Sequence, residues 1–440
     1  MLRRTLLIFL ALAAVVPAAA SAGPLIGMAD DRVLLSGGPA ADQAVAAWAA
    51  DGVDVVRIFV QWDETSPSPG SRRRPSGAYD FARIDAAVDR VRAAGMEPML
   101  TLTGPGPVWG MHDPSRGSRR YRPSPARYAE FARAAAEHFG GRVRRYILWN
   151  EPNLPFWLQP QSAAPSVYRN LVNAAVPAIR SVQPSAQLFV GALAPRSRPL
   201  PFLRALGCVD ARYRRIRTGA CRHFHPVRAT ALAYHPHSVT YSPTRAFPSA
   251  DDANLASLGR LEHVLDGLRH AGRLRVGSGL WLDEYGYQTN PPDKFIGVSP
   301  STQDRWLQEG AYRASRDPRV KLLTQYVWTD EPASPRTGYS GWQSGLRYAN
   351  GRAKPALAHF PVPFFLDAGR SLLWGQVRPG ASHPVLVQRR TRGGSWTTVA
   401  RVTTDSRGYW QRRMRLTRGV SYRFVAADGA AHASASRARR

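Results

Sequence analysis

The stretch RYILWNEPN (145–153) is the most informative part of this sequence for the fold. Tyrosine, isoleucine and leucine are typical of a buried strand, whereas the NEPN segment that follows them cannot continue one. Polar residues directly after a buried strand bring Glu151 to the edge of the core, where functional side chains concentrate. The alternative interpretation is an ordinary strand followed by a solvated turn.

Seven further apolar runs alternate with helical patterns along the chain. Parallel strands joined by helices produce this alternation, and such strands are apolar almost throughout because both of their faces are covered. The eight predicted strands are 24–30, 53–62, 97–104, 143–150, 186–193, 229–238, 279–289 and 320–332. Eight such units predict an α/β fold, a (β/α)8 TIM barrel spanning residues 23–362.

Helical patterns occupy the segments between the predicted strands. The clearest, 124–140, has Ser124 as its N-cap and Pro125 in its first turn. The other predicted helices are 41–52, 81–95, 165–182, 254–272 and 302–317, with a short closing segment at 354–360.

The first 22 residues have the pattern of a signal peptide. Arg3 and Arg4 precede the apolar run 6–16, and the small residues that end at Ala22 offer a cleavage site. We therefore expect a secreted, extracellular protein. The apolar run is too short for a stable anchor and no later run is longer, so no membrane association is expected after cleavage.

Residues 363–430 follow a different pattern, with short strand-like runs separated by glycine, proline and aspartate and with no helix between them. This pattern predicts a small all-β sandwich domain. Its role as a spacer, a carbohydrate-binding module or a cell-wall contact is left open, with the spacer favoured. Residues 431–440 lack apolar periodicity and are expected to form a disordered tail.

The composition excludes some partners. The net charge of +29 over 440 residues comes almost entirely from arginine, because only Lys294, Lys321 and Lys354 are lysines. The arginines are scattered rather than gathered in one stripe, so a nucleic-acid partner is not expected, while contact with the cell wall or an anionic glycan stays open. Cys208 and Cys221 are the only cysteines and predict one disulfide that closes a short loop.

Two carboxyl groups stand at the ends of predicted strands on opposite sides of the barrel. Glu151 follows strand four and Glu284 ends strand seven, three βα units later. Cleavage of a glycosidic bond needs such a pair, one group to protonate the leaving oxygen and one to act at the sugar carbon. The rivals for the second position are Asp283, Glu331 and Glu64.

The segments LWNEPN and WLDEYGYQT resemble the two signature segments of the glycoside hydrolase clan A barrels, in particular the bacterial family 39 and family 5 (cellulase-like) glycosidases. The resemblance covers residues 24–360 in layout. It implies a retaining O-glycosyl hydrolase that acts on a poly- or oligosaccharide, with Glu151 as general acid/base and Glu284 as nucleophile. It implies no metal and no other cofactor.

The resemblance also implies a set of substrate-binding residues. Asn150 matches the asparagine that holds the sugar 2-hydroxyl, and Arg57 matches the arginine that supports the nucleophile. His235 matches the strand-six histidine of an HPY pattern. The tyrosine of that pattern is replaced here by His237, which affects the hydrogen bond to the nucleophile and its pH dependence.

Tryptophans supply the remaining candidates for sugar binding. Trp328 matches the strand-eight tryptophan that forms the floor of a subsite, and the resemblance implies a cis peptide bond between Trp328 and Thr329. Trp109 is a second candidate. Core packing and sugar stacking are equally compatible with the sequence at each of six positions: Trp109, Trp149, Trp157, Trp281, Trp328 and Trp342.

Two other functions are compatible with parts of the sequence. One is a non-catalytic carbohydrate-binding barrel at the cell surface, which would not need two opposed carboxyl groups. The other is a metal-dependent hydrolase that uses zinc ligands among His223, His225, His235 and His237. We favour the metal-free glycosidase. The sugar, the linkage, internal or terminal cleavage and the oligomeric state do not follow from the sequence.

Overall fold

The computed structural model describes residues 23–332, 341–427 and 433–439, so the predicted signal peptide lies outside the described residues. Eight parallel strands form a closed barrel, with each strand beside its neighbours in sequence. They are β1 Leu25–Ala29, β2 Val55–Gln61, β3 Glu97–Thr103, β4 Arg145–Leu148, β5 Gln187–Leu193, β6 Ala231–Tyr234, β7 Leu280–Tyr285 and β8 Val320–Tyr326. The predicted TIM barrel is confirmed.

The barrel closes through β1, which pairs with β8 from Leu25 opposite Leu322 and with β2 from Gly27 opposite Val55. Apolar side chains fill its interior, so the barrel is a packed core rather than a channel. The interior cluster consists of Val55, Met99, Ile147, Phe189, Ala192, Ala231, Ala233, Trp281 and Leu322. Two additional short strands, Val227–Arg228 and Leu274–Arg275, pair outside the barrel.

Helices cover the outside of the barrel at the predicted places. As predicted, the Ser124 side chain caps the helix that begins at Pro125. The helix Pro199–Leu206 lies in the segment between strands five and six, where no helix was predicted. Three of its eight residues are prolines or arginine, and they weaken the apolar pattern that would have indicated a helix. The helices are α1 Asp31–Leu34, α2 Gly38–Ala50, α3 Trp62–Thr65, α4 Ala82–Ala93, α5 Pro125–Phe139, α6 Ala164–Val182, α7 Pro199–Leu206, α8 Leu258–His270, α9 Pro300–Arg316 and α10 Pro355–His359.

Two antiparallel sheets follow the barrel and pack face to face. One sheet has the order β9-β10-β13 and the other β12-β11-β14-β15, and their shared core includes Val387, Trp410 and Phe424. The strands are β9 Phe364–Asp367, β10 Leu372–Gln376, β11 Pro384–Arg390, β12 Thr397–Thr403, β13 Tyr409–Arg413, β14 Ser421–Ala426 and β15 Arg437–Ala438. The predicted all-β domain is confirmed, and β9 is a strand that the sequence pattern did not reveal.

The expectation of a disordered tail at 431–440 is wrong for residues 433–439. The strand β15 pairs with β14, with Ser421 opposite Ala438, and the buried Ser434 accepts from the Phe424 amide through its hydroxyl at 2.9 Å. Backbone pairing with an open sheet edge needs no apolar periodicity, so composition alone did not indicate it. Residues 431, 432 and 440 lie outside the described residues.

The β-sandwich contacts the amino-terminal end of the barrel. The Tyr409 hydroxyl donates to the Pro24 carbonyl at 3.0 Å, and Arg407 donates to the Gly23 carbonyl, immediately before β1. The buried Arg378 donates to the Phe360 carbonyl at 2.8 Å. These contacts leave the opposite end of the barrel, where the strands end, free for a functional site.

The predicted disulfide between Cys208 and Cys221 is present and joins Cα atoms 5.7 Å apart. It closes the loop that follows α7. Among the described residues, no helix combines the length and the apolar character needed to cross a lipid bilayer.

Candidate active site

The backbone turns sharply where β4 ends. Trp149 and Glu151 have positive φ angles of 74° and 37°, which side-chain-bearing residues rarely adopt. The turn is held because the Glu151 amide donates to the Ala192 carbonyl at 2.9 Å and the Asn150 amide donates to the Thr103 hydroxyl at 3.1 Å. Such strain is retained where neighbouring elements determine the conformation. In this conformation the Glu151 carboxyl group lies close to His235 and Glu284.

The structure brings the two predicted carboxyl groups together. One carboxylate oxygen of Glu151 lies within 4.8 Å of one carboxylate oxygen of Glu284, and a nitrogen of His235 lies within the same distance of both. Glu284 is 4% exposed, whereas Glu151 is more open to solvent. The pair therefore combines a buried carboxylate with an accessible one.

Three cationic or donor groups surround Glu284. Arg57 Nη2 lies 2.8 Å from Oε1, and His237 Nε2 lies 3.2 Å from Oε2. Burial alone would raise the pKa of Glu284, but the charges of His235 and Arg57 and the hydrogen bond with His237 outweigh it and lower the pKa to about 2. Glu284 is thus an anion at neutral pH.

Glu151 has a different set of contacts. His235 Nδ1 lies 2.9 Å from Oε1, and the Trp157 indole N–H donates to Oε2 at 3.1 Å. Both carboxylate oxygens of Glu151 therefore face nitrogen atoms. Glu151 is only partly buried, so a ligand can still reach it.

His235 lies between three carboxylates and is fully buried. Its Nε2 lies 3.2 Å from Asp283 Oδ2, and its Nδ1 lies 3.5 Å from Glu284 Oε2. Burial would lower the pKa of His235, but the charges of Glu284 and Asp283 and the hydrogen bonds with Asp283 and Glu151 raise it to about 10. His235 is therefore a buried imidazolium, and Asp283, a sequence rival for the nucleophile, is its counterion.

Asn150 directly precedes Glu151 in the chain and has only 2% of its surface exposed. Its Oδ1 accepts no hydrogen bond from the described residues. A buried polar atom of this kind is costly unless a ligand completes it, so Asn150 fits the role of holding a substrate hydroxyl.

The other two rivals of Glu284 have structural contacts elsewhere. Glu64 bonds to Gln61, and over half of its side chain is exposed. Glu331 Oε2 accepts from the Trp342 amide at 2.8 Å and so holds the loop after β8. Neither contact directs the carboxylate to Glu151.

The tryptophans separate into two groups. Trp342 stacks on His237 with ring centroids 5.1 Å apart, and Trp157 bonds to Glu151, so both lie at the site. Trp328 instead packs edge-to-face on Trp48 of α2 and is 3% exposed. This packing between the barrel and its helices favours a core role over the predicted subsite floor.

Trp109 also has core contacts. It packs edge-to-face on Trp62 and its indole N–H donates to the Pro67 carbonyl at 3.2 Å. The expected cis bond after Trp328 is wrong, because every cis peptide bond in the described residues precedes proline. The buried Asp30 instead accepts from the amides of Trp328 and Thr329 at 2.8 and 3.0 Å.

The four histidines considered as zinc ligands in the alternative interpretation are not brought together. His223 and His225 are exposed in the loop after the disulfide, whereas His235 and His237 lie at the barrel end. Within the described residues, one group of three side chains has metal-ligand spacing, namely Glu151, His235 and Glu284. Both ring nitrogens of His235 already face carboxylate oxygens, Nδ1 that of Glu151 and Nε2 that of Asp283. We assign no metal to this group.

Sequence reasoning did not single out three residues that complete the site. Trp157 was named only among tryptophans of undecided role. Tyr326, at the end of β8, lies 5.1 Å from the Trp342 ring, and burial followed by the charge of Glu284 raises its pKa well above the usual value. Asp31 accepts from the Phe59 amide at 2.8 Å and adds negative charge near Arg57. Only their positions near strand ends could have indicated them.

Comparisons with known proteins agree with this geometry. Residues 25–294 match the family model described as Cellulase (glycosyl hydrolase family 5). A family 39 glycoside hydrolase from the gut symbiont Bacteroides cellulosilyticus superposes with a TM-score of 0.58 at 16% identity, over 92% of this chain and 82% of the other. A family 39 β-xylosidase from Caulobacter crescentus gives 0.51 at 16% identity, over 90% and 95%.

A family 39 enzyme from Xanthomonas axonopodis pv. citri gives a TM-score of 0.52 at 14% identity, over 89% of this chain and 91% of the other. At these identities the structural likeness shows the fold alone. A search of curated proteins finds no match. The family model thus supports family 5, and the family 39 structures share the fold.

Proposed function

This chain belongs to the cellulase family, glycosyl hydrolase family 5, and is a glycosyl hydrolase of clan A type; from that premise we propose that it cleaves O-glycosidic bonds with retention of configuration. The substrate is a carbohydrate. In the proposed double displacement Glu284 attacks the anomeric carbon and Glu151 protonates the leaving oxygen. Glu151 then removes a proton from the water that releases the sugar.

One observation supports this proposal above all: an oxygen of the partly exposed Glu151 and an oxygen of the buried Glu284 lie within 4.8 Å of each other. Retaining glycosidases hold their carboxyl groups about 5 to 5.5 Å apart, whereas inverting enzymes leave about 6.5 to 9.5 Å for a water molecule. The pKa of Glu284, lowered to about 2, keeps this group ionised as a nucleophile must be. The partly exposed Glu151 is placed to meet a leaving group.

The other side chains at the site support the two half-reactions. Arg57 and His237 bind both oxygens of Glu284 and hold it in one orientation. His237 thereby takes the place of the tyrosine expected from the resemblance, with a nitrogen in contact with the nucleophile. Asn150 offers a buried acceptor for a sugar hydroxyl close to the bond that is cut.

The test is a panel of 4-nitrophenyl glycosides and of neutral and acidic polysaccharides, assayed with the wild type and with Glu284→Gln. We expect the wild type to release product whose first-formed anomer, observed by proton NMR, retains the substrate's configuration. We expect Glu284→Gln to lose on the order of 10⁴-fold in turnover. An inverted product, or full activity of Glu284→Gln, would refute the mechanism.

The same panel tests the non-catalytic alternative. A carbohydrate-binding barrel would retain polysaccharide in affinity electrophoresis but release no product from any glycoside. The opposed carboxylates disfavour this outcome, since a binding site gains nothing from two adjacent acidic groups that must be charge-compensated in the core.

We also propose that the protein is exported. The signal pattern of residues 1–22 and the disulfide between Cys208 and Cys221 support this, because disulfides persist in oxidising compartments. Expression of the full chain in a bacterial host with a secretion pathway should give protein in the medium that begins at Gly23. Intact protein retained in the cytoplasm would contradict export.

The β-sandwich adds a proposed contact with an anionic glycan. Residues 363–430 contain 12 arginines and three aspartates. Two of the arginines, Arg390 and Arg423, lie over the Trp396 ring with guanidinium carbons 4.5 and 4.3 Å from its centroid. A cationic aromatic surface of this kind attracts carboxylated or phosphorylated polymers.

Retention on immobilised polygalacturonate and on neutral cellulose would test this contact. We expect retention on polygalacturonate to weaken with added salt and to fall in Arg390→Ala, with Arg412→Ala of the other sheet as the matched control. Equal retention on cellulose, or equal losses in both variants, would show that no specific contact exists at Trp396.

A further inference from the structure

Trp157 makes a contact that the double-displacement scheme does not require. Its indole N–H donates to Glu151 Oε2 at 3.1 Å, while His235 Nδ1 lies 2.9 Å from Oε1. An indole nitrogen can only donate a hydrogen bond, and the imidazolium form of His235 can only donate as well. Both oxygens of Glu151 therefore face donors.

This arrangement suits an ionised carboxylate and not a protonated one. A carboxylate accepts at both oxygens, whereas a carboxylic acid carries a proton on one of them and must direct it away from a donor. When Glu151 takes up a proton, the donor at the protonated oxygen loses its charged acceptor, and that hydrogen bond weakens or is broken.

Burial indicates which donor withdraws. His235 is fully buried between Glu151 and Asp283, so it has no room to turn. Trp157 is only half-buried and lies in the surface segment that follows Glu151, next to Phe156, whose side chain is 61% exposed. Its ring rests on Phe59 at a centroid distance of 5.7 Å, which holds the indole in the hydrogen-bonded position without enclosing it.

We propose that Trp157 is a positioning residue of the acid/base cycle: its N–H holds and stabilises ionised Glu151 for the water-activating step and leaves Oε2 when Glu151 is protonated. This inference rests on the proposed function, because only a general acid/base has to exist in both forms during one turnover.

The other groups that face Glu151 set the background for this effect. Glu284 from β7 lies within 4.8 Å and favours protonation of Glu151 by charge repulsion, and the Tyr326 hydroxyl from β8 is also in electrostatic contact. His235 from the end of β6 favours ionisation. Asp283 acts on Glu151 through His235, and Arg57 acts through Glu284. In this set, Trp157 is the uncharged donor that is hydrogen-bonded directly to Glu151.

The inference can be tested without any substrate. Because the chain contains nine glutamates, carboxyl carbons labelled with ¹³C give few NMR signals, and Glu151→Gln identifies the Glu151 signal. In Trp157→Phe, which keeps an aromatic ring and removes the N–H, we expect the titration midpoint of Glu151 to move to higher pH by about one unit. Phe156→Leu, a neighbouring aromatic change without a donor, should leave the midpoint in place.

Activity gives a second readout. With the 4-nitrophenyl glycoside of highest turnover in the panel, the alkaline limb of kcat/KM should move upward by the same amount in Trp157→Phe, since the proton on Glu151 is then retained to higher pH. A purely structural role would lower kcat/KM at all pH values and leave the limb unmoved. An unmoved Glu151 midpoint in Trp157→Phe would overturn the inference and leave the proposed function standing.

If Trp157→Phe does not fold, the wild type still decides the matter. One of its 12 indole N–H protons, labelled with ¹⁵N, should shift with the same midpoint as the Glu151 carboxyl carbon and lose that titration in Glu151→Gln. The inference would be overturned if none of the twelve indole signals shifted with the titration midpoint of the Glu151 carboxyl carbon. Failure of the glycosidase proposal would appear separately, as absent hydrolysis in the panel.

Discussion

Replacing Asp283 by asparagine should change how the stability of this protein depends on pH. Asp283 is fully buried, and its Oδ2 lies 3.2 Å from Nε2 of the equally buried His235. Asparagine keeps the size and one hydrogen-bonding oxygen but removes the negative charge. The charge state of His235 should therefore respond, while the packing of the barrel end is preserved.

The magnitude follows from the shift of His235. Its pKa is raised from 6.5 to about 10 by Glu284, Asp283 and Glu151 against the effect of burial, which corresponds to roughly 5 kcal/mol in favour of the charged form. The charge of Asp283 and its hydrogen bond are two of the four favourable contributions. A hydrogen bond between charged groups contributes about 1.5 to 3 kcal/mol, so we assign about 2 kcal/mol to the contact of Asp283 with His235.

The sign is that of a base with a raised pKa. The contribution of His235 is fully present below pH 6.5, the value of the unfolded chain, and is lost as the pH rises through about 10. Asp283→Asn should thus be destabilised at pH 6, and its deficit relative to the wild type should shrink by about 2 kcal/mol on going to pH 10.

The assay is urea unfolding followed by far-UV circular dichroism at pH 6, 7, 8, 9 and 10 and constant ionic strength. Burial lowers the pKa of Lys354 to about 8 in spite of its partner Asp330, so Lys354 adds stability as the pH rises. That opposing contribution is the same in both proteins and cancels in their difference. Parallel pH profiles for the wild type and Asp283→Asn would refute the assignment of a buried imidazolium at His235.

Three further outcomes follow from the same structure. Arg57→Met should lower the free energy of unfolding by about 3 to 5 kcal/mol, because it removes the arginine that lies 2.8 Å from the buried Glu284 carboxylate. The acidic limb of kcat/KM should also move to higher pH, because burial raises the pKa of Glu284 once the charge of Arg57 is gone. Simultaneous Cys208→Ser and Cys221→Ser should cost about 3 kcal/mol in chemical denaturation, since a loop with a sequence separation of 13 is released in the unfolded chain. Dialysis against EDTA should leave the turnover of the best panel glycoside unchanged; a loss restored by zinc would favour a metal at the Glu151 and His235 cluster.

Local pattern was sufficient for the architecture. The barrel strands are short, mostly apolar runs, and each predicted strand overlaps an observed one. Elements without a clear local pattern were missed. Examples are α7, in which prolines interrupt the apolar spacing, and β15, a two-residue strand that depends on the edge of β14. The sequence of such a short strand does not indicate that it will pair with the edge strand of a sheet.

The candidate site was predictable to the extent that it follows strand ends. Glu151, Glu284, Arg57 and His235 each stand at the end of a strand or within it, and the barrel brings such positions to one place. The tryptophans followed no such rule. Whether an indole meets a sugar, an acid or another tryptophan depends on loop conformations that no periodicity describes.

The sequence alone predicted the barrel, the following β domain, the disulfide and the two opposed glutamates. These features follow from the period of the strands, the turn residues and the spacing along the chain, which are local properties of the sequence. Only the tertiary structure determined which charged groups are neighbours: His235 contacts Asp283, and Arg57 contacts Glu284. It also determined that Trp157 bonds to Glu151, whereas Trp328 packs on Trp48 of the surrounding helices. The physical reason is that pKa shifts and hydrogen bonds depend on distances of a few ångströms between residues far apart in the chain, and only the folded backbone sets those distances.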